Sequence, residues 1–182
     1  MVPRHDSQAK RPVSAVLAGP YGHPFHPILV TVPIGAWVAS LVFDLASLCV
    51  RDPAFLARGS MWLIAVGVLG ALAAATVGFL DLFAIAPGTP AMRTALLHMT
   101  LNLLVTGAYT GGFLWRRAAG TAGSVGAGML ALSAASLLAL GVSGFLGGKL
   151  AYRYGVRVAD EATQAEGFVR TGGGRKRPDA SP

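Results

Sequence analysis

The side chains of this chain best suited to chemistry are three histidines, a carboxylate and an amide: His23, His26, Asp81, His98 and Asn102. Imidazole is the usual ligand for haem iron and for zinc, copper or nickel, and it titrates near neutral pH. His23 and His26 stand in Tyr21-Gly22-His23-Pro24-Phe25-His26-Pro27, where each proline pushes the residue before it away from helical dihedrals. Both are expected on extended backbone, just outside a helix whose first turn Pro27 suits. His98 and Asn102 are four residues apart and so share one face of a helix, which Thr106 continues. Two histidines on separate helices can ligate one haem iron, with Asp81 or Asn102 orienting an imidazole from behind. His23, His26, His98 and Asp81 also make a mixed nitrogen–oxygen set for a divalent transition metal. A quinone pocket, with His98 donating to a carbonyl and Asp81 handling the proton, is a third reading. Against these stands a purely structural one, because buried polar groups in membranes also satisfy broken backbone and hold helices together. It weighs more on His23 and His26, at the interface, than on His98 and Asp81 within the apolar runs.

The elements that must position these residues are membrane helices. Of 182 residues, 53% are hydrophobic and only 13% charged, which excludes an ordinary soluble domain. Four apolar runs, 27–50, 60–83, 94–115 and 126–150, each reach the roughly 20 helical residues that cross a bilayer. The fold class expected is all-α integral membrane: a four-transmembrane-helix bundle with short loops, occupying 21–158. Polar termini, 1–20 and 159–182, are expected to flank it, the second disordered. The first run is too long for a signal-peptide core and is read as retained. Pro33 removes an internal hydrogen bond and should kink the first helix, and Pro87 and Pro90 mark the turn before the third. Asp44 lies in the first run with Ser40 and Ser47 on its face, within reach of Arg51, Arg58 or Arg116 as an interfacial ion pair. The serines of the fourth run, Ser133, Ser136 and Ser143, read as packing, and Gly144 with Gly148 as a close-approach pair. The single cysteine, Cys49, excludes a disulfide framework or a cysteine-built iron–sulfur site within the chain.

The net charge of +7 would suit nucleic acid, but the basic residues flank membrane spans. Orientation and anionic lipid account for them better, and no nucleic-acid partner is expected. With four spans, only Arg51, Arg58, Arg116 and Arg117 lie on one side, and the other 11 of the 15 basic residues on the opposite side. Both termini are therefore expected in the cytoplasm. That orientation gathers His23, His26, Asp81, His98 and Asn102 in one leaflet, His98 about 7 Å beyond Arg93 by the helical rise. No Ser/His/Asp order, zinc-protease motif or phosphate loop stands out, so an enzyme is not the favoured class. No internal repeat stands out either, which ranks a transporter low.

These residues resemble a bacterial membrane family, domain of unknown function 2231. The resemblance runs through Gly22-His23-Pro24-Phe25-His26-Pro27, Pro33-Ile34-Gly35, Asp44, Asp81, Gly88-Thr89-Pro90-Ala91, His98, Asn102 and Ser143-Gly144-Phe145-Leu146-Gly147-Gly148. It departs at Met92, where a second basic residue is expected beside Arg93. It implies the bacterial inner membrane and no assigned activity. Some members are joined to Rieske-type iron–sulfur domains, which implies an association with electron transfer and a redox partner protein. The working expectation is a non-catalytic module holding haem b or a transition metal through His23, His26 and His98. The alternative is a structural or assembly subunit without a cofactor. The lipid bilayer is a partner in either case, and small-residue stripes would suit a homo-oligomer.

Overall fold

A computed structural model describes residues 25–159, together with Gln164 and Phe168. His23, the N-terminal tail and most of the C-terminal tail lie outside the described residues. The described chain is helical: α1 (Phe25–Leu29), α2 (Thr31–Ser47), α3 (Ala54–Leu82), α4 (Pro90–Ala119) and α5 (Ala127–Gly148), the last running into a π-helical turn, Lys149–Arg153. Three segments, Phe25–Ser47, Ala54–Leu82 and Ala127–Arg153, are long and apolar enough to cross a membrane. At 30 residues α4 is the longest helix, but threonines, His98, Asn102 and three arginines make it more polar.

Local chemistry sets the boundaries. Pro33 has no N–H to give Leu29, and where a kink at Pro33 is expected the helix is interrupted at Val30, one turn earlier. His26, expected on extended backbone before Pro27, instead lies within α1 and accepts from Val30 N at 3.1 Å. Its ring is held by α3, and that tertiary contact overrides the dihedral preference of a residue before proline. Thr89 caps α4 by accepting from Met92 N at 3.1 Å, and Pro90 fills the first position, where a missing N–H is no loss. Thr89→Ala should cost about 1 kcal/mol in a denaturant titration, with the cap interaction lost and the fold retained. At the far end Gly120 adopts φ 82°, the left-handed conformation that a side chain would strain.

The helices form an up-down-up-down bundle in which each packs on the next and α5 closes back on α2. α2 and α4 are therefore diagonal, and they meet through long side chains in the middle. Trp37 stacks on Tyr109 at 4.2 Å and 11°, joined in the core by Ile64 and Val105. The outward faces are apolar, with Leu69, Leu104, Leu138 and Phe145 each more than 60% exposed. Such a surface suits lipid and not water.

The bundle is two copies of one hairpin. Trp37 Nε1 donates to Ile64 O at 3.3 Å, and Tyr109 Oη donates to Ser133 O at 3.2 Å. His26 Nδ1 bonds Ala74 O at 2.9 Å, and His98 Nδ1 bonds Ser143 O at 2.8 Å. The His26 ring lies over Gly78 and the His98 ring over Gly147; the Phe43 ring lies over Gly59 and the Trp115 ring over Gly128. Each of these contacts within α1–α3 becomes its counterpart within α4–α5 when 72 is added to the first residue and 69 to the second. The contacts between the hairpins obey the same rule, pairing His26 with His98, Trp37 with Tyr109 and Asp44 with Arg116. A constant difference of 72 means that α2 and α4 run parallel, related by a pseudo-two-fold axis along the bundle. The expectation of no internal repeat is thus overturned: the repeat lies in the contacts and scarcely in the residue identities.

Candidate functional site

Three tiers of paired side chains sit on this axis, and each is fixed by the helix at its back. In the first, the rings of His26 and His98 lie 6.5 Å apart between centroids and nearly perpendicular, at 85°. Each imidazole rests on a glycine because nothing larger leaves room. A methyl group at Gly78 would lie 2.9 Å from His26 Cε1, and one at Gly147 would lie 3.1 Å from His98 Cε1. The carbonyls of Ala74 and Ser143 can only accept, so Nδ1 of each ring carries a proton, and in the neutral ring Nε2 keeps its lone pair. Asn102 Nδ2 donates to His98 Nε2 at 3.1 Å and to the His98 carbonyl at 3.0 Å, one turn back along α4. Ser143 Oγ lies 3.0 Å from His98 Nδ1 and donates to His98 O at 3.3 Å. The serine stripe read as packing therefore supplies the seat of one imidazole. No sequence signal distinguishes Ser143 from its neighbours, since half of its role belongs to its main chain.

Asp81 was grouped with the histidines, but the structure engages it elsewhere. Its Oδ1 accepts from Arg157 Nε at 2.8 Å, one turn of α3 beyond Gly78, and no imidazole bonds it among the described residues. The cluster that forms is His26, His98, Asn102 and Ser143. Among the described residues no three histidine, cysteine or acidic side chains come together to hold a metal ion. His23 lies outside those residues.

At the opposite end of the axis Asp44 forms a bidentate pair with Arg116, at 3.0 and 2.8 Å, and Arg116 Nη2 also donates to Ser133 Oγ at 3.0 Å. Of the three arginines within expected reach, Arg116 is the one engaged, and the pair is buried in the bundle, its side chains 3% and 0% exposed. Ser47 on the same face accepts from Val125 N at 3.2 Å and ties the α4–α5 loop down. Arg116 Nε has no partner among the described residues. The close-approach pair expected at Gly144 and Gly148 packs against no other helix, since a methyl group at Gly144 would meet nothing and one at Gly148 only Tyr152 at 3.9 Å.

Long apolar helices, lipid-facing exteriors and polar groups turned onto a central axis define a helical membrane protein. Its sequence matches, over residues 22–160, the family model described as predicted membrane protein, domain of unknown function 2231, and the chain belongs to that family. No curated protein and no solved structure matches it.

Proposed function

We propose that the protein is a non-catalytic membrane module that holds one haem b, or failing that one transition-metal ion, between His26 and His98 in association with electron transfer. The observation that carries this reading is the paired, tautomer-fixed imidazoles on the axis. His26 and His98 would hold the group through their imidazoles, and two imidazoles that both reached one ion through bonds near 2 Å would have centroids no more than about 6 Å apart. The 6.5 Å here is close to that figure. Ligating histidines characteristically give their second N–H to a carbonyl or carboxylate, which both rings do. Haem is favoured over a bare ion because the macrocycle brings four nitrogens and asks the protein for only two. The pair supplies those two, whereas an ion would need further ligands, for which His23 at the rim is the candidate. Of the three axial tiers, only this one carries the same residue on both sides, as a ligand centred on the axis requires. Asn102 keeps the His98 Nε2 lone pair satisfied and must turn aside when it is taken.

The topology that goes with this reading has four spans, with both termini on the cytoplasmic side of the bacterial inner membrane. The polar residues of α4 support its role as a span: His98, Asn102, Tyr109 and Arg116 bond within the bundle, while Leu97, Leu103, Leu104 and Leu114 face outward. A redox partner would dock at the histidine end, and a homo-oligomer would use the outward faces. Transport remains disfavoured despite the repeat, because the aromatic stack and the ion pair fill the axis.

An absorption spectrum with metal analysis, on protein extracted in mild detergent, tests the proposal. A haem spectrum lost in both His26→Ala and His98→Ala is the expected result. No haem signal and no stoichiometric metal would leave the second reading, a polar lock between helices. The hydrogen bond from Asn102 to Nε2 favours that one. His98→Ala would then lower thermal stability and remove no chromophore.

A further inference from the structure

Beyond the histidine tier, at the same end of the bundle, a guanidinium is left half-used. α5 ends in the π-helical turn Lys149–Arg153, closed by Tyr154 N donating to Lys149 O at 3.2 Å. Gly155 N then bonds Ala151 O and Val156 N bonds Leu150 O, so the chain folds back over the helix end. Arg157 follows with φ 60°, the one non-glycine residue with positive φ among those described. Backbone in that region is costly for a side chain with a Cβ and persists where the surroundings enforce it. The result is a long side chain directed inward, 7% exposed, against Asp81 at 13%.

Among the described residues only one of its nitrogens has a partner. Nε donates to Asp81 Oδ1 at 2.8 Å, while Nη1 and Nη2 are buried and have no hydrogen-bond partner among those residues. Buried N–H groups left without acceptors are expensive and rare, more so on a charged group. The two amino groups form a planar fork matched to two oxygens of an oxyanion. Asp81 neutralises one charge and fixes the plane through Nε, leaving the fork free for something else. Lys149, its ammonium 5.6 Å from the Tyr154 ring, and exposed Arg153 add two positive charges in the π-helical turn that precedes Arg157.

We infer that Arg157, oriented by Asp81, binds a phosphate-class oxyanion through Nη1 and Nη2. The site does not depend on the histidine reading. The phosphate could belong to a phospholipid headgroup, since the fork lies at the end of a membrane helix, or to a soluble phosphate ester. The test uses the full chain in neutral detergent, titrated with inorganic phosphate, and the same chain in phosphatidylglycerol or phosphatidylcholine nanodiscs. Stabilisation of Tm by about 3 °C or more is expected from a ligand well above its Kd. Phosphate acting in detergent assigns a soluble anion, and phosphatidylglycerol acting without phosphate assigns the headgroup. Arg157→Lys keeps the charge, loses the fork and should lose most of either shift; Asp81→Asn should weaken it. Native mass spectrometry of the wild-type chain needs no variant and should retain one phosphatidylglycerol per chain in the headgroup case. No shift with either probe and no retained lipid overturns the inference, as does an equal shift in Arg157→Lys. Neither probe engages the imidazoles, so failure here leaves the cofactor question untouched.

Discussion

Replacing Asp44 with alanine should destabilise the bundle by about 3–5 kcal/mol, among the largest effects any single polar substitution can have here. The loss is not mainly that of an attraction. Arg116 is 3% exposed and its position on the axis gives it no route to water, so removing the carboxylate strands a buried charge. Arg116→Ala should cost a comparable amount by stranding Asp44, which is fully buried. Because positions 44 and 116 are equivalent about the pseudo-two-fold axis, exchanging the residues should recover much of the loss. Unfolding in mixed micelles would show Asp44→Arg combined with Arg116→Asp as more stable than either alanine variant. Recovery should be incomplete, since Ser133 Oγ is placed for a guanidinium arriving from α4. A double exchange no better than the single changes would contradict the equivalence itself.

Trp37→Ala should cost about 3–5 kcal/mol by the same measurement, for a different reason. The indole is 1% exposed, stacks on Tyr109 and fills the space that the missing side chain of Gly67 leaves. Truncation opens a cavity on the axis that four helices cannot close without sliding. Trp37→Phe keeps most of the stack, loses the bond to Ile64 O and should cost about 1 kcal/mol. Gly67→Ala attacks the same contact from the other side, since its methyl group would overlap the indole ring. It should displace Trp37 and cost about 1–3 kcal/mol. Equal losses in Trp37→Phe and Trp37→Ala would mean that the hydrogen bond, and not the filled volume, holds this tier.

The helices were legible in the sequence because membrane spans are written in composition, and long apolar runs tolerate an error of a few residues. Pro33 gave the interruption and Thr89-Pro90 the cap, since both act on the backbone within one turn. His98 and Asn102 were placed together by helical spacing alone. Asp81 pairs with Arg157 and not with an imidazole, because depth in the membrane puts residues on a level without saying which way they face. Its partner comes from a turn with a left-handed arginine, which no residue pattern announces. The repeat was hidden for a related reason. The acceptors in its contacts are main-chain carbonyls of Ile64, Ala74, Ser133 and Ser143, to which the side-chain alphabet is indifferent. Trp37 and Tyr109 are chemically analogous donors but different letters, and the offsets of 72 and 69 defeat a search at one fixed spacing. Among the residues of the repeated contacts only His26/His98, Gly59/Gly128 and Gly78/Gly147 survive as identical letters.

The opposite charges at positions 44 and 116 bear on how such a molecule assembles. Two copies of the first hairpin, brought together as the two hairpins are here, would set Asp44 against Asp44. Two copies of the second would set Arg116 against Arg116. Either pairing buries like charges with no water to separate them, so each hairpin rejects itself and accepts the other. Covalent linkage through the loop is therefore not what selects the partner. A chain cut between Leu82 and Pro90 carries, in its two fragments, the instruction to reunite as unlike halves.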